Sequence, residues 1–203
     1  MGVISINLII FKKFLLECIL ILQLGCMNSC ESNVSVLGEE KEVRADFIAE
    51  ICIENWNEQG CLPSVCIAQA ILESNLGEKC YPNNYWGLYG GYQSFDSLED
   101  GVYEYMNFIN EYYPSAPFLT DYTEQITAIY DGGYCQGNSN YIKDIQWIIE
   151  EYNLVYYDEL LFDELERKEF QKNIYNKIIQ YSQYTIDFLN DYKGLIMIIN
   201  AFQ

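Results

Sequence analysis

Histidine is missing from this sequence of 203 residues. Without an imidazole, Ser–His and Cys–His nucleophilic schemes and histidine-based metal sites are excluded. Eight cysteines are present, but no two are spaced as C-x-x-C, the spacing typical of zinc ligands. We therefore expect no metal site and no cofactor, and we expect Cys66 to be a buried apolar thiol.

Basic side chains are also scarce, with 11 Lys and Arg against 30 Asp and Glu, for a net charge of −19. The imbalance is concentrated in residues 39–158, which hold 21 acidic and 4 basic side chains. Binding of nucleic-acid phosphates requires clustered Lys and Arg. Nucleic acid is therefore excluded as a partner.

Among what is present, the most informative segment is LPSVCIAQAILESNLG, residues 62–77. Its apolar residues cover nearly the whole circumference, which predicts a buried helix over 63–75 with Pro63 in the first turn. The only charge is Glu73, in the last turn. Apolar surroundings and the negative end of the helix dipole both raise the pKa of a carboxyl there, as a general acid requires. The alternative is that Glu73 points to solvent from a frayed helix end.

Four blocks resemble a known family. Residues 62–77 resemble L-P-S-V-x-I-A-Q-A-x-L-E-S-x-x-G, a signature of the bacterial peptidoglycan endo-β-N-acetylglucosaminidases, which are the catalytic domains of autolysins, flagellar muramidase-type proteins and phage lysins. NNYWGLYG (83–90) and FDSLEDGVYEY (95–105) are similar to the two blocks that follow in the family. GYCQGNSNY (133–141) with the helix after it resembles the last block. Together the blocks cover roughly residues 45–156.

The resemblance implies a mainly α, lysozyme-like α+β fold with a reduced β lobe, and a substrate groove between the lobes. It implies cleavage of the β-1,4 bond between N-acetylglucosamine and N-acetylmuramic acid in peptidoglycan glycan strands. Glu73 would be the general acid, and Tyr134 the family tyrosine that lines the reaction centre.

A second catalytic group has no obvious position. Glycosidases usually use two carboxyl groups, and relatives place the second on a hairpin for which residues 91–94 are too short. The candidates are Asp96, Glu99, Asp100 and the N-acetyl group of the substrate. For the three acids the favoured interpretation is a capped helix start, with Asp96 and Glu99 forming the capping box.

Substrate-binding candidates lie near these blocks. Gln69 is one helical turn before Glu73 and either orients the acid or satisfies a backbone group. Aromatic rings could stack on sugars, although core packing is equally compatible with Trp86. The full set of candidates is Gln69, Asn83, Asn84, Tyr85, Trp86, Tyr89 and Tyr141.

Residues 1–25 resemble a signal sequence or a membrane anchor, because Lys12 and Lys13 precede an apolar run. Cys26 lies where a lipoprotein cysteine would be lipidated. We therefore expect a protein that is exported to the cell envelope or secreted, with a lipid anchor at Cys26 as one means of retention. Residues 26–42 are interpreted as a linker.

A catalytic domain is expected over residues 43–156. Beyond it, residues 157–203 are expected to form a helical C-terminal extension, and its helix is expected to end at Gly194. The extension either packs on the domain, dimerises or contacts a protein partner. Inside the domain, spacing predicts helices over residues 43–56, 63–75, 97–112, 121–130 and 138–152.

Two other interpretations remain open at this stage. A muramidase or a lytic transglycosylase would use one glutamate at a helix end on the same scaffold. A non-catalytic wall-binding module would have kept the fold and lost turnover. Of these, only the wall-binding module predicts sugar binding without cleavage.

Overall fold

The computed structural model describes residues 37–201. In that range there are seven α-helices and one short 3-10 turn, and no β-strand. The prediction of a mainly α fold with a C-terminal helical extension is confirmed. The helices are α1 Glu39–Glu54, α2 Trp56–Gln59, α3 Pro63–Ser74, α4 Leu98–Tyr112, α5 Tyr122–Asp131, α6 Tyr141–Glu151 and α7 Val155–Ala201, and the turn is Leu88–Gly91.

The central element is α3. It packs against α1, α5, α6 and α7, and every residue from Pro63 to Ala70 is buried. The sequence predicted this burial from a segment that is apolar on all sides. The thiol of Cys66 is fully buried in the same core, as predicted.

The end of α3 differs slightly from the prediction. Asn75 is the C-cap, with a left-handed φ of 55°, so the helix stops two residues before Gly77. Gly77 is not the helix cap. A Cβ at Gly77 would lie 2.2 Å from Cζ of Tyr85. The glycine is required so that the Tyr85 ring can pack directly on the backbone after the helix.

The start of α3 is held by side chains from elsewhere in the chain. Its N-cap, Leu62, supplies no side-chain hydrogen bond. The carboxylate of Asp158 in α7 accepts from the Ser64 amide at 2.9 Å and from the Ser64 hydroxyl at 2.5 Å. Gln125 of α5 accepts from the amide of Leu62 at 2.9 Å. Buried donors at the helix start are thereby satisfied.

At the N-terminal side, α1 begins at Glu39, so residues 39–42 form its first turn and not the end of a linker. Three acids in that turn, Glu39, Glu40 and Glu42, favour the helix because they face the positive end of its dipole. The predicted signal sequence or anchor (1–25), Cys26 and residues 26–36 of the predicted linker lie outside the described residues.

The C-terminal helix α7 contributes to the core with its first two turns. Tyr157, Asp158 and Leu161 are buried, although the sequence assigned residues from 157 onward to the extension. The predicted stop at Gly194 is wrong, since α7 continues to Ala201. One glycine costs a helix only about 1 kcal/mol, which its helical neighbours can offset. Among the helices of residues 37–201, none is apolar over a stretch long enough to span a bilayer.

Candidate active site

Glu73 lies at the surface in the last turn of α3. Its Oε1 accepts a hydrogen bond of 3.1 Å from the hydroxyl of Tyr134. The side chain as a whole is exposed, yet enough protein surrounds the carboxyl that desolvation raises its pKa, against a lowering effect of the Tyr134 hydrogen bond. Titration depends on the surroundings of the carboxyl group and not on the exposure of the whole side chain.

Tyr134 follows Gly132 and Gly133, and the φ of +115° at Gly133 turns the chain after α5. Burial and the charge of Glu73 both raise the pKa of the tyrosine hydroxyl, so it stays protonated at neutral pH. A protonated hydroxyl can donate to Glu73 or to a substrate oxygen. The sequence predicted both residues for the site, and the structure brings them into contact.

Gln69 lies beneath this pair and is fully buried. Its amide nitrogen donates to the hydroxyl oxygen of Tyr141, and its amide oxygen accepts from the hydroxyl of Tyr105. The sequence predicted a hydrogen bond from Gln69 to Glu73 or to a backbone group, but Gln69 instead bonds two tyrosines. Its effect on the site is indirect, because the Tyr141 ring lies 5.4 Å from the ring of Tyr134.

Asn83 and Asn84 organise a loop. The Asn84 side chain is buried, donates to the carbonyls of Leu88 and Gln93 at 3.0 Å, and accepts from the amide of Leu88 at 2.8 Å. The amide of Asn83 donates to the carbonyl of Phe95 at 2.9 Å. These bonds lie within the loop, so both asparagines shape it.

Tyr85 and Trp86 lie in the core and not on a sugar-binding surface. Both are buried, and the Trp86 indole stacks on Tyr105 at 4.8 Å and donates to the carbonyl of Cys66 at 2.9 Å. The core alternative considered for Trp86 is the one that the structure shows. Tyr141 is likewise buried, whereas Tyr89 is exposed and is the one predicted ring candidate on the surface.

The candidates for a second carboxyl group lie at the start of α4. The N-cap is Ser97, one residue later than predicted. The Ser97 hydroxyl accepts from the amide of Asp100 at 3.0 Å and donates to the Asp100 carboxylate at 2.6 Å. Asp100 is therefore engaged in the capping box, and Asp96 and Glu99 are exposed beside it. None of the three has a hydrogen bond to Glu73.

Sequence reasoning missed Tyr113, whose ring contacts that of Tyr134 edge-on at 5.8 Å. It lies at the end of α4, where Glu104, Phe108 and Tyr112 precede it at four-residue spacing on one helix face. That spacing is the signal by which the sequence could have revealed Glu104, Phe108 and Tyr112 as one surface, and Tyr113 directly follows them.

No cluster of three or more potential metal ligands exists within residues 37–201. A groove of about 610 Å³ lies between α1 and α7, and its lining includes Ala49, Ile53 and Leu160 but none of the predicted site residues. Glu73 lies beside the ring of Tyr134 and is not among the residues that line this groove.

A carboxyl with a raised pKa at a helix end can release a proton to a leaving oxygen, which is what a glycoside hydrolase requires of its acid. The comparisons with known proteins identify the family. Residues 49–154 match the family described as mannosyl-glycoprotein endo-β-N-acetylglucosaminidase. This match covers slightly more than half of the chain, and the chain belongs to this glucosaminidase family.

One solved structure is also similar to this chain. It is the crystal structure of the catalytic domain of the autolysin Auto from Listeria monocytogenes, with a TM-score of 0.49 and 20% identity, over 66% of this chain and 94% of that one. No curated protein matches the sequence.

Proposed function

We propose that this glycoside hydrolase cleaves the β-1,4 bond between N-acetylglucosamine and N-acetylmuramic acid in peptidoglycan, with Glu73 as the general acid. The observation that carries the proposal is the partly desolvated Glu73 carboxyl at the end of the buried helix α3, beside a protonated tyrosine. The carboxyl donates its proton to the oxygen of the leaving sugar as the glycosidic bond breaks.

The group that attacks the anomeric carbon in this proposal is the N-acetyl oxygen of the substrate. Two observations favour it over Asp96, Glu99 and Asp100. Asp100 is committed to the capping box of α4, and the pKa of Glu73 is raised by desolvation without a contribution from a second carboxylate. The Tyr134 hydroxyl is the group available to stabilise the resulting intermediate.

Peptidoglycan as substrate also implies a site of action outside the cytoplasm. The signal-like residues 1–25 support export to the cell envelope or secretion, with a lipid at Cys26 as one means of retention.

The decisive variant is Glu73→Gln, which keeps the shape of the side chain but removes the acid. We expect release of reducing ends from purified peptidoglycan to fall by about 10²–10⁴-fold, the usual contribution of a general acid. Glu78→Gln is the matched control, because Glu78 is a nearby exposed acid that pairs with Lys41, and it should retain activity.

The products separate the alternatives. A reducing N-acetylglucosamine end supports the proposal, whereas a reducing muramic end indicates a muramidase and a 1,6-anhydro-muramic end a lytic transglycosylase. Equal activity of the Glu73→Gln variant and the unchanged protein would rule out the acid role. If neither protein cleaves but both bind peptidoglycan, the chain is a wall-binding module.

A further inference from the structure

A partly exposed aromatic surface begins at the candidate active site and follows α4, with Tyr112 and Tyr89 exposed and Phe108 and Tyr113 half-buried. We call it the aromatic row and define it as Tyr113, Phe108, Tyr112 and Tyr89. The row starts at Tyr113, whose ring lies 5.8 Å from the ring of Tyr134, the partner of Glu73. It is therefore continuous with the proposed catalytic pair.

Phe108 is the centre of the row, because its ring contacts each of the other three rings. Tyr113 lies 5.9 Å from Phe108, Phe108 lies 4.7 Å from Tyr112, and Phe108 lies 6.2 Å from Tyr89. These distances are typical of packed aromatic pairs. Tyr112 and Tyr89 remain 52% and 48% exposed, so packing within the row leaves much of their surface free for a ligand.

The loop that carries Tyr89 is built in a costly conformation. Tyr89 has a left-handed φ of 58°, and Gly87, Gly90 and Gly91 around it also have positive φ. A non-glycine residue is strained in this region, and such strain concentrates where function requires a particular placement. The buried amide of Asn84 holds the loop in this shape through its bonds to Leu88 and Gln93.

A polar pair completes the far end of the row. The Tyr89 hydroxyl donates to the carboxylate of Glu104 at 2.6 Å, and this bond raises the pKa of Tyr89 to about 12. The tyrosine oxygen and the second carboxylate oxygen can both accept hydrogen bonds from sugar hydroxyl or acetamido N–H groups. The surface therefore combines flat apolar faces with acceptors at one end, as sugars require.

We propose that the aromatic row is a glycan-binding surface that holds N-acetylhexosamine units of the strand away from the bond being cleaved, with Tyr89 and Glu104 as its polar end. The inference rests on the proposed function for the identity of the ligand, but it concerns binding and not turnover.

The test measures binding in the Glu73→Gln background, so that cleavage does not enter. The probes are β-1,4-linked N-acetylglucosamine oligomers of increasing length, titrated calorimetrically. Tyr112→Ala removes one ring from a helix position where alanine is well tolerated, and Tyr89→Phe removes only the hydroxyl that bonds Glu104. The matched control is Tyr92→Ala, because Tyr92 is 79% exposed, only three residues from Tyr89 in the sequence, and outside the row.

We expect Tyr112→Ala to weaken binding of the longer oligomers about threefold to tenfold, the range typical of one aromatic contact, with little effect on the disaccharide. Tyr89→Phe should weaken binding of the longer oligomers by a smaller factor, and Tyr92→Ala should bind as the parent does. The inference would be overturned if the parent and both row variants had equal affinities, or if Tyr92→Ala lost as much affinity as Tyr112→Ala. It would also be overturned if the parent did not bind the oligomers. Turnover of the unchanged protein compared with Glu73→Gln tests the proposed function separately, so either can fail alone.

Discussion

At Glu73, two opposing influences act on one carboxyl group. Desolvation raises its pKa, and the hydrogen bond from Tyr134 lowers it because the bond stabilises the charged form. A general acid must be protonated, so activity should decline as pH rises through the pKa of Glu73, at a higher pH than for an ordinary glutamate.

Replacing Tyr134 by Phe removes the hydrogen bond that lowers the pKa of Glu73. We therefore expect the pKa of Glu73 to rise further in Tyr134→Phe, and the alkaline limb of the kcat/KM profile to move to higher pH. Carboxyl ¹³C titration by NMR measures the same shift without turnover. Tyr130→Phe is the control, because the Tyr130 ring stacks on Tyr141 at 6.0 Å but does not contact Glu73. A downward shift of the Glu73 pKa in Tyr134→Phe, or an equal shift in the control, would contradict this account.

The buried amide of Gln69 is satisfied by Tyr105 and Tyr141, and it is the kind of group whose loss is costly. Gln69→Leu keeps the volume but leaves two buried hydroxyls without their partner, each at a cost of about 1–3 kcal/mol. We expect the free energy of unfolding in urea to fall by that order. The triple variant with Tyr105→Phe and Tyr141→Phe should recover most of the loss, and a triple variant as unstable as Gln69→Leu would refute the explanation.

At the residue scale, the sequence predicted the contact pair because Glu73 and Tyr134 each sit in a distinctive motif. It could not assign the partner of Gln69, since a helical glutamine has several partners within reach and tertiary packing chooses among them. For the same reason the sequence alone favours sugar binding for Tyr85, and it is equally compatible with sugar binding and core packing for Trp86. An aromatic side chain next to a glycine-rich turn carries no sign of which way it faces.

Among the elements, α3 depends on α7 for its N-terminal cap, since Asp158 accepts both bonds from Ser64. Burial raises the pKa of Asp158 from 3.8 to about 6, and the Ser64 bonds offset this only in part. The folded state therefore binds this proton more tightly than the unfolded state. The contribution of Asp158 to stability is fully present below about pH 4 and is lost as pH rises to about 6.

Asp158→Asn removes this titration but keeps an acceptor for the Ser64 amide. We expect the stability of the variant relative to the unchanged protein to improve between about pH 4 and pH 6, by up to about 3 kcal/mol. Urea unfolding of both proteins across this window measures the difference. A difference that does not change with pH would show that the carboxyl of Asp158 does not titrate as described.

Helix positions were largely predictable because hydrophobic spacing indicates which segments bury one face, as at α4 and α5. The residues at which helices begin and end were harder to predict than the helices themselves. The sequence favours Asp96 as the N-cap of α4, although Ser97 is an equally good capping residue, and the structure shows Ser97 in this role. That loop also fits closely against α4, since a Cβ on Gly101 would lie 2.1 Å from the Asn83 carbonyl oxygen.

For the molecule as a whole, the boundary between the domain and its extension was the hardest feature to predict. The family match ends at residue 154, and the tyrosine-rich sequence beyond it shows no change of pattern where burial ends. In the structure, the core includes Tyr157, Asp158 and Leu161, and the Tyr157 hydroxyl donates to Asp46 of α1 at 2.7 Å. From Glu166 to Asp191 the side chains are exposed, apart from a half-buried Ile174.

Truncation tests where the folding unit ends. A chain that stops after Leu154 loses a buried leucine, a buried tyrosine and the cap of α3. Large-to-small changes at single buried sites already cost about 2–5 kcal/mol, and the net stability of a domain is only about 5–15 kcal/mol. We therefore expect this chain to be largely unfolded by circular dichroism and inactive on peptidoglycan. A chain that stops after Leu165 keeps these contacts and should retain cooperative melting and cleavage, because its core is complete. If the shorter chain melted at the same temperature as the longer one, the first turns of α7 would be dispensable and the domain would end with α6.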